Sequence, residues 1–292
     1  MRTILDDRAR HVDRDVSGVR LHVVEAGPAD GRPVVLLHGF PEFWYGWRRQ
    51  IPALADSGLR VIAPDQRGYN TSDKPRATSS YRLDATAGDV VGLLDLLGLE
   101  RASIVGHDWG GIVAWWVAAR HADRVDRLAI LNAPHPIAFQ RFLKRSPKQM
   151  LKSWYAIFFQ LPRAPEALLR MNDWALLKRA LRRTSRPGAF GEADLDAYAD
   201  AWSRPGAMSA MIDWYRAPTP NLSHDSEARV PVPTLILWGA QDHAIDRRLA
   251  DESLSWCERG RLEVLDEATH WLQHEEPDRV NRLLLDFLHA RA

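Results

Sequence analysis

Strand-like and helix-like segments alternate along the first part of this chain, and that alternation constrains its fold more than any single residue does. RPVVLLHG, LRVIAPDQRG, RASIVGH and RLAILNAP are short, continuous apolar runs, the pattern of strands buried on both faces of a parallel sheet. GVRLHVVEAG, ahead of them, has β-branched residues and ends in Gly-Pro, and also reads as a strand. Between the strands, DATAGDVVGLLDLLGL puts Val90, Leu93, Leu94 and Leu97 on one helical stripe, and WGGIVAWWVAARHADRV does the same with Ile112, Trp115, Trp116 and Ala119. WYGWRRQIPALADSG reads as helical against the resistance of Pro52, and EALLRMNDWALLKRAL as a single helical segment. From His135 to Ala228 helical segments follow one another with no convincing strand, and the alternation then resumes with VPTLILWGA, DRRLADESLSW, RLEVLDEA and PDRVNRLLLDFLHA. The expected architecture is an α/β fold with a mostly parallel sheet, its core formed by residues 1–134 and 229–292 and interrupted by a helical cap over 135–228. Such an insertion can cover the carboxyl edge of the sheet, where open α/β sheets bind their ligands.

The sequence Gly106-His107-Asp108-Trp109-Gly110 lies between a buried strand and a helix. It has the form of the sharp strand-to-helix elbow that exposes a nucleophile above a sheet, with Asp108 in the position usually held by serine. A helix-capping Asp needs no flanking glycines, so the two glycines favour the elbow. A carboxylate nucleophile restricts the chemistry. Attack on an ester would give an anhydride, whereas attack on a saturated carbon bearing a halide or a strained epoxide oxygen gives a stable alkyl ester. That ester must then be hydrolysed, which calls for a general base and an oxyanion hole.

Elbow hydrolases run nucleophile, acid, histidine in chain order. Of eleven histidines, His270 is the one placed in the loop just after the final strand, with His274, read as a surface or capping residue, as second candidate. Asp242 after TLILWG is the orienting acid, with Asp246 as a weaker alternative expected in a helical first turn. The oxyanion amides are expected at Trp109 and at Phe40 of His38-Gly39-Phe40-Pro41. His38 is read chiefly as a brace for this loop.

Composition adds exclusions. Lys+Arg number 39 and Asp+Glu 38, a formal net charge of +1, which gives no reason to expect nucleic acid or an anionic membrane as partner. The basic stretch KRALRRTSR is broken by apolar residues and reads as a solvated helix face. A single cysteine, Cys257, excludes an internal disulfide and a zinc–cysteine cluster. MRTILDDRARHVDRD has no apolar core of a secretory signal, and no run is long enough to span a membrane, so a cytoplasmic setting is expected.

HGFPEFWYGW, APDQRGYNTSDKP, GHDWGG, WGAQD and ATHW together resemble the α/β-hydrolase-fold epoxide hydrolases, over nearly the whole core. Haloalkane dehalogenases share the fold and the elbow, but commonly carry a halide-binding Asn after His-Gly, where this chain has Phe40, or a second halide-binding Trp in the lid. Fluoroacetate dehalogenases follow the nucleophile with arginines, where this chain has Trp109 and Ile112. Asn70 stands where the family's GYG turn has glycine, a change that Asn tolerates at positive φ. The resemblance implies two lid tyrosines that hold the epoxide oxygen, and KSWYAIFFQLP and MIDWYRA match their contexts at Tyr155 and Tyr215. The expected reactants are a small-molecule epoxide and water, with no metal or organic cofactor, and the expected pocket is walled by His38, Pro41, Trp154 and Trp214 beside Phe40 and Trp109, an aromatic lining that favours apolar, including aryl-substituted, epoxides. The rival readings are a haloalkane dehalogenase with the same Asp108, His270 and Asp242, and a non-catalytic small-molecule binder of the same fold. Oligomeric state and a detoxifying or biosynthetic role stay open at this stage.

Overall fold

A computed structural model describes residues 9–218 and 228–290. Eight strands, β1 (Ala9–Val16), β2 (Val19–Ala26), β3 (Arg32–Leu37), β4 (Leu59–Pro64), β5 (Ala102–His107), β6 (Val125–Leu131), β7 (Val230–Gly239) and β8 (Cys257–Leu265), form one sheet in the order β1-β2-β4-β3-β5-β6-β7-β8. β2 runs antiparallel to both of its neighbours, and all pairs from β4 to β8 are parallel. The continuous apolar runs occupy the centre: Val34 to Leu37, Ile104, Val105 and Leu128 to Leu131 are all fully buried. The molecule is an α/β hydrolase fold, with helices flanking this sheet.

Strand β1 is an element that the sequence reading does not identify. Its segment ARHVDRDV is dominated by charge and lies at the sheet edge, where Arg10 and Arg14 pair with the buried Glu25 of β2. The signal was the hairpin: Ser17 and Gly18 both take positive φ, the backbone that a two-residue turn between twisted strands requires.

Helices α1 (Gln50–Asp56), α2 (Leu83–Leu96) and α3 (Trp109–Arg120) fall between the core strands. Pro52 sits in the first turn of α1, where its missing N–H has no partner to lose. The stripe assigned to α3 understates its burial: Val113, Ala114, Val117 and Ala118 are also fully buried, because the helix lies across the middle of the sheet. Between β6 and β7 the described residues form α4 (Pro136–Arg145), α5 (Pro147–Lys152), α6 (Trp154–Phe158), α7 (Ala164–Thr184), α8 (Glu192–Trp202) and α9 (Ala207–Arg216). The single helix expected over EALLRMNDWALLKRAL is broken in α7, where Met171 leaves the helical region and Asn172, Asp173 and Trp174 take positive φ. The expected boundary of this helical stretch at 228 adjoins residues 219–227, which lie outside the described residues, as do residues 1–8 of the N-terminal segment. Helices α10 (Arg248–Leu254), α11 (Leu272–Glu275) and α12 (Pro277–His289) complete the chain. No helix among the described residues is long and apolar enough to cross a membrane.

Because β3 and β5 to β8 are parallel, their carboxyl ends share one edge. The backbone packs very closely there at α3: a Cβ added to Gly110 would lie 2.1 Å from the carbonyl oxygen of Leu37. That neighbour is backbone and cannot rotate away. Gly110→Ala is therefore expected to destabilise the fold by about 3 kcal/mol, read as a lower urea midpoint. An unchanged midpoint would contradict the packing described.

Candidate active site

Asp108 follows β5 directly and takes φ 51° and ψ −123°, an unfavourable backbone for a side chain with a Cβ. The strain turns the chain sharply from strand to helix and lifts the carboxylate off the sheet. The loop after β3 approaches it so closely that a Cβ on Gly39 would lie 2.3 Å from Asp108 Oδ1. The glycine leaves room for the next residue's amide: the Phe40 N–H donates to Asp108 Oδ1 at 2.8 Å. Trp109 opens α3, and the first N–H groups of a helix have no partner within it.

His270 and Asp242 meet at the same edge. His270 Nδ1 lies 2.7 Å from Asp242 Oδ2. A carboxylate only accepts, so Nδ1 carries the hydrogen and Nε2 faces Asp108 Oδ2 at 3.6 Å. Asp242 is fully engaged: Oδ1 accepts from the Ala244 and Ile245 amides at 2.7 and 2.9 Å, and Oδ2 also accepts from Asn132 Nδ2 at 2.6 Å. Asn132 was not singled out in the sequence. It follows β6 with positive φ and accepts the Gly239 N–H at 2.7 Å, so it locks the ends of β6 and β7 together beneath Asp242. Its one signal was a polar residue closing the apolar run RLAIL. Asp246 stands apart, accepting from the backbone and guanidinium of Arg248 at the start of α10.

Above Asp108 lies a cavity of about 660 Å³. Asp108, Trp109, Tyr155, Trp214 and Tyr215 line it, with Phe139 and Leu143 of α4 among its apolar walls. The rings of Tyr155 and Tyr215 are 5.9 Å apart, and Tyr215 stands edge-on to Trp109 at 5.1 Å and to Phe40 at 5.4 Å. Three expected wall residues are not among those lining it. His38 is fully buried below, where Nε2 accepts the Gln66 N–H at 3.0 Å and Nδ1 is 3.2 Å from the Gly39 carbonyl, so it braces the loop. Pro41 accepts from the indole N–H of Trp202, which holds the loop to α8. Trp154 is 63% exposed on the outer side of α6. Among the described residues no group of three or more His, Cys, Asp or Glu is placed to hold a metal ion.

A family model for the alpha/beta hydrolase fold matches residues 32–277. Over 274 residues the chain is 46% identical to the AB hydrolase superfamily protein YfhM of Bacillus subtilis, covering 94% of this chain and 96% of that one. It is 40% identical to Epoxide hydrolase 4 of Homo sapiens, covering 93% of this chain and 76% of the relative. The crystal structure of the Bacillus megaterium epoxide hydrolase with an inhibitor has a TM-score of 0.86 at 28% identity, covering 96% of this chain and 100% of that one. The chain belongs to the α/β-hydrolase-fold epoxide hydrolase family.

In this hydrolase a second buried cluster supports the site from behind. Glu42 sits within hydrogen-bonding reach of Tyr198 of α8, of Gln273 and of His274, and 3.2 Å from His107. Burial opposes its charge, but His274 and His107 outweigh that and hold its carboxyl well below the usual range. His274 is thus neither a surface nor a capping residue. Its Nδ1 accepts from Arg48 at 3.0 Å, so Nε2 carries the hydrogen and donates to Glu42 at 2.7 Å, which leaves it no atom for the reaction.

The electrostatics of His270 are dominated by its neighbours. Burial favours the neutral ring, but Asp242 and Asp108 together raise its pKa to about 10. Asp242 moves the other way: burial would raise it, and His270 and Asn132 bring it below the ordinary value. The raised pKa of His270 contributes stability that is complete below 6.5 and is lost as pH rises through about 10. In the resting hydrolase, imidazole NMR signals of His270 are expected to stay those of the imidazolium through neutral pH. In Asp242→Asn the midpoint is expected to fall by about two units. A titration near 6.5 in the parent protein would contradict this electrostatic picture.

Proposed function

We propose that this protein hydrolyses apolar epoxides to vicinal diols through an ester on Asp108, with residues 1–134 and 229–292 as the catalytic core and 135–228 as a cap that carries the substrate-oxygen donors. The observation that carries the reading is the meeting of a carboxylate nucleophile with two phenols across one apolar cavity. Burial, with Asp108 adding to it, pushes both Tyr155 and Tyr215 above the ordinary phenol range. They therefore remain neutral at physiological pH and able to donate.

The first step uses Asp108 and the tyrosines. Oδ1 is held by the Phe40 amide, which leaves Oδ2 to attack a ring carbon. The carbon–oxygen bond of the epoxide breaks, and one phenol gives its proton to the alkoxide as it forms. The products are a hydroxyalkyl ester and a phenolate. Esterification removes the negative charge of Asp108, one of the two charges that sustain the imidazolium of His270. The pKa of His270 then falls, and the proton it releases balances the one the phenolate needs.

Neutral His270, oriented by Asp242, is now a base at Nε2. It takes a proton from water as the water oxygen attacks the ester carbonyl carbon. The Phe40 and Trp109 amides stabilise the oxyanion of the tetrahedral intermediate. Collapse expels the diol oxygen, which recovers the proton from His270, and the carboxylic acid left at Asp108 passes its remaining proton to His270, which restores the carboxylate and the imidazolium of the resting site. The same charge pattern thus protects the nucleophile in its ionised form before attack and produces the base only after it. No step draws on a metal or an organic cofactor.

Two variants separate the half-reactions. With styrene oxide, His270→Gln is expected to accumulate the ester, seen in intact mass as a gain of one epoxide, while steady-state turnover falls by about a thousandfold. Tyr155→Phe/Tyr215→Phe is expected to lose ester formation itself. Accumulation of no adduct in the first variant, or normal turnover in the second, would contradict the scheme.

A further inference from the structure

The balanced formal charge of this chain hides a local imbalance. Between residues 141 and 170 there are seven lysines and arginines and one acid, Glu166. Glu166 is nearly buried and is paired with Arg216 of α9, so it does not offset the surface charge. The same stretch carries a run of exposed apolar side chains. Leu151 is 75% exposed, Ile157 70% and Trp154 63%, with Met150 and Leu161 also exposed. Isolated exposed leucines need no explanation, but a clustered set of large apolar side chains does.

These residues share a face. Ser153 both closes α5 and opens α6, so the two short helices follow one another with a single residue between them. Along them Leu151, Trp154, Ile157 and Leu161 recur at three- and four-residue intervals, and Trp154 packs against Phe158 at 6.2 Å. The other side of the same helices faces the interior: Ser153, Tyr155 and Ala156 line the cavity above Asp108. One layer of helix therefore separates the apolar outer face from the substrate cavity.

We propose that this face of α5 and α6 docks the hydrolase onto an anionic membrane surface, from which apolar epoxides reach the cavity. Leu151, Trp154 and Ile157 enter the boundary between headgroups and acyl chains, and exposed cations of the same stretch, Lys148 of α5 among them, meet the lipid phosphates. Charge complementarity selects this occupant: a second copy of the chain would bring the same excess of positive charge against itself. Association is peripheral. The delivery of substrate rests on the proposed epoxide chemistry, whereas docking does not.

The test is sedimentation of the full chain, without substrate, with vesicles of phosphatidylcholine alone and of phosphatidylcholine mixed with phosphatidylglycerol. Binding is expected to the mixed vesicles, to weaken with added salt, to fall about tenfold or more in Leu151→Gln/Ile157→Gln, and to fall about fivefold in Lys148→Glu. Hydrolysis of a water-soluble epoxide by Leu151→Gln/Ile157→Gln is expected to equal that of the parent. The proposal is overturned if the chain binds neither vesicle, if binding is indifferent to the substitutions, or if the face instead supports a self-association that Leu151→Gln/Ile157→Gln abolishes. Because vesicle binding is read without turnover, its failure is distinct from failure of the epoxide reaction.

Discussion

The site depends on one arrangement of charge: the imidazolium of His270 lies between the carboxylates of Asp242 and Asp108. Asp242 is permanently committed, with four donors on its two oxygens. Asp108 is not. It lines the cavity, where the proposed reaction exchanges its charge for an ester. In the proposed reaction the pair of carboxylates first holds a proton on His270, and the loss of one charge then releases it. The base arises as a consequence of the first chemical step.

Much of the remaining structure serves to hold this arrangement still. The five parallel strands that lead into the site deliver their carboxyl ends to one edge, and short loops place Phe40, Asp108, Asn132, Asp242 and His270 there. Asn132 clamps the ends of β6 and β7. Glu42 ties the Phe40 loop to α8 and to α11, and His107 Nε2 meets the carbonyl of His270 at 2.9 Å. The strained backbone of Asp108 is sustained by this close packing, in which glycine at 39 and 110 is the only residue that fits.

The core of the fold was legible because its signals are local. Apolar runs of strand length alternated with helical stripes, and the elbow announced itself by two glycines around an acid. The edge strand β1 escaped because an edge strand can be charged on both faces, and its partner Glu25 is distant in sequence. The break in α7 escaped because Asn172 and Asp173 are tolerated in helices as well as in left-handed turns. At the site, chain order and loop position pointed to His270 and Asp242. The cavity walls could not be read the same way, since neighbouring residues on one helix point in opposite directions: Tyr155 lines the cavity while Trp154 faces outward. Asn132 and the Glu42 cluster act through other residues rather than on substrate, and nothing in a single sequence marks such contacts.

The proposed reaction stands or falls on a covalent bond between Asp108 and the substrate. Single-turnover hydrolysis with enzyme in excess in ¹⁸O-labelled water tests it most directly. An unlabelled diol is expected in the first turnover, because its new oxygen comes from Asp108, and ¹⁸O is expected in the peptide that contains Asp108 afterwards. Label in the first diol, with none in that peptide, would mean that water attacks the epoxide directly and that no ester forms on Asp108.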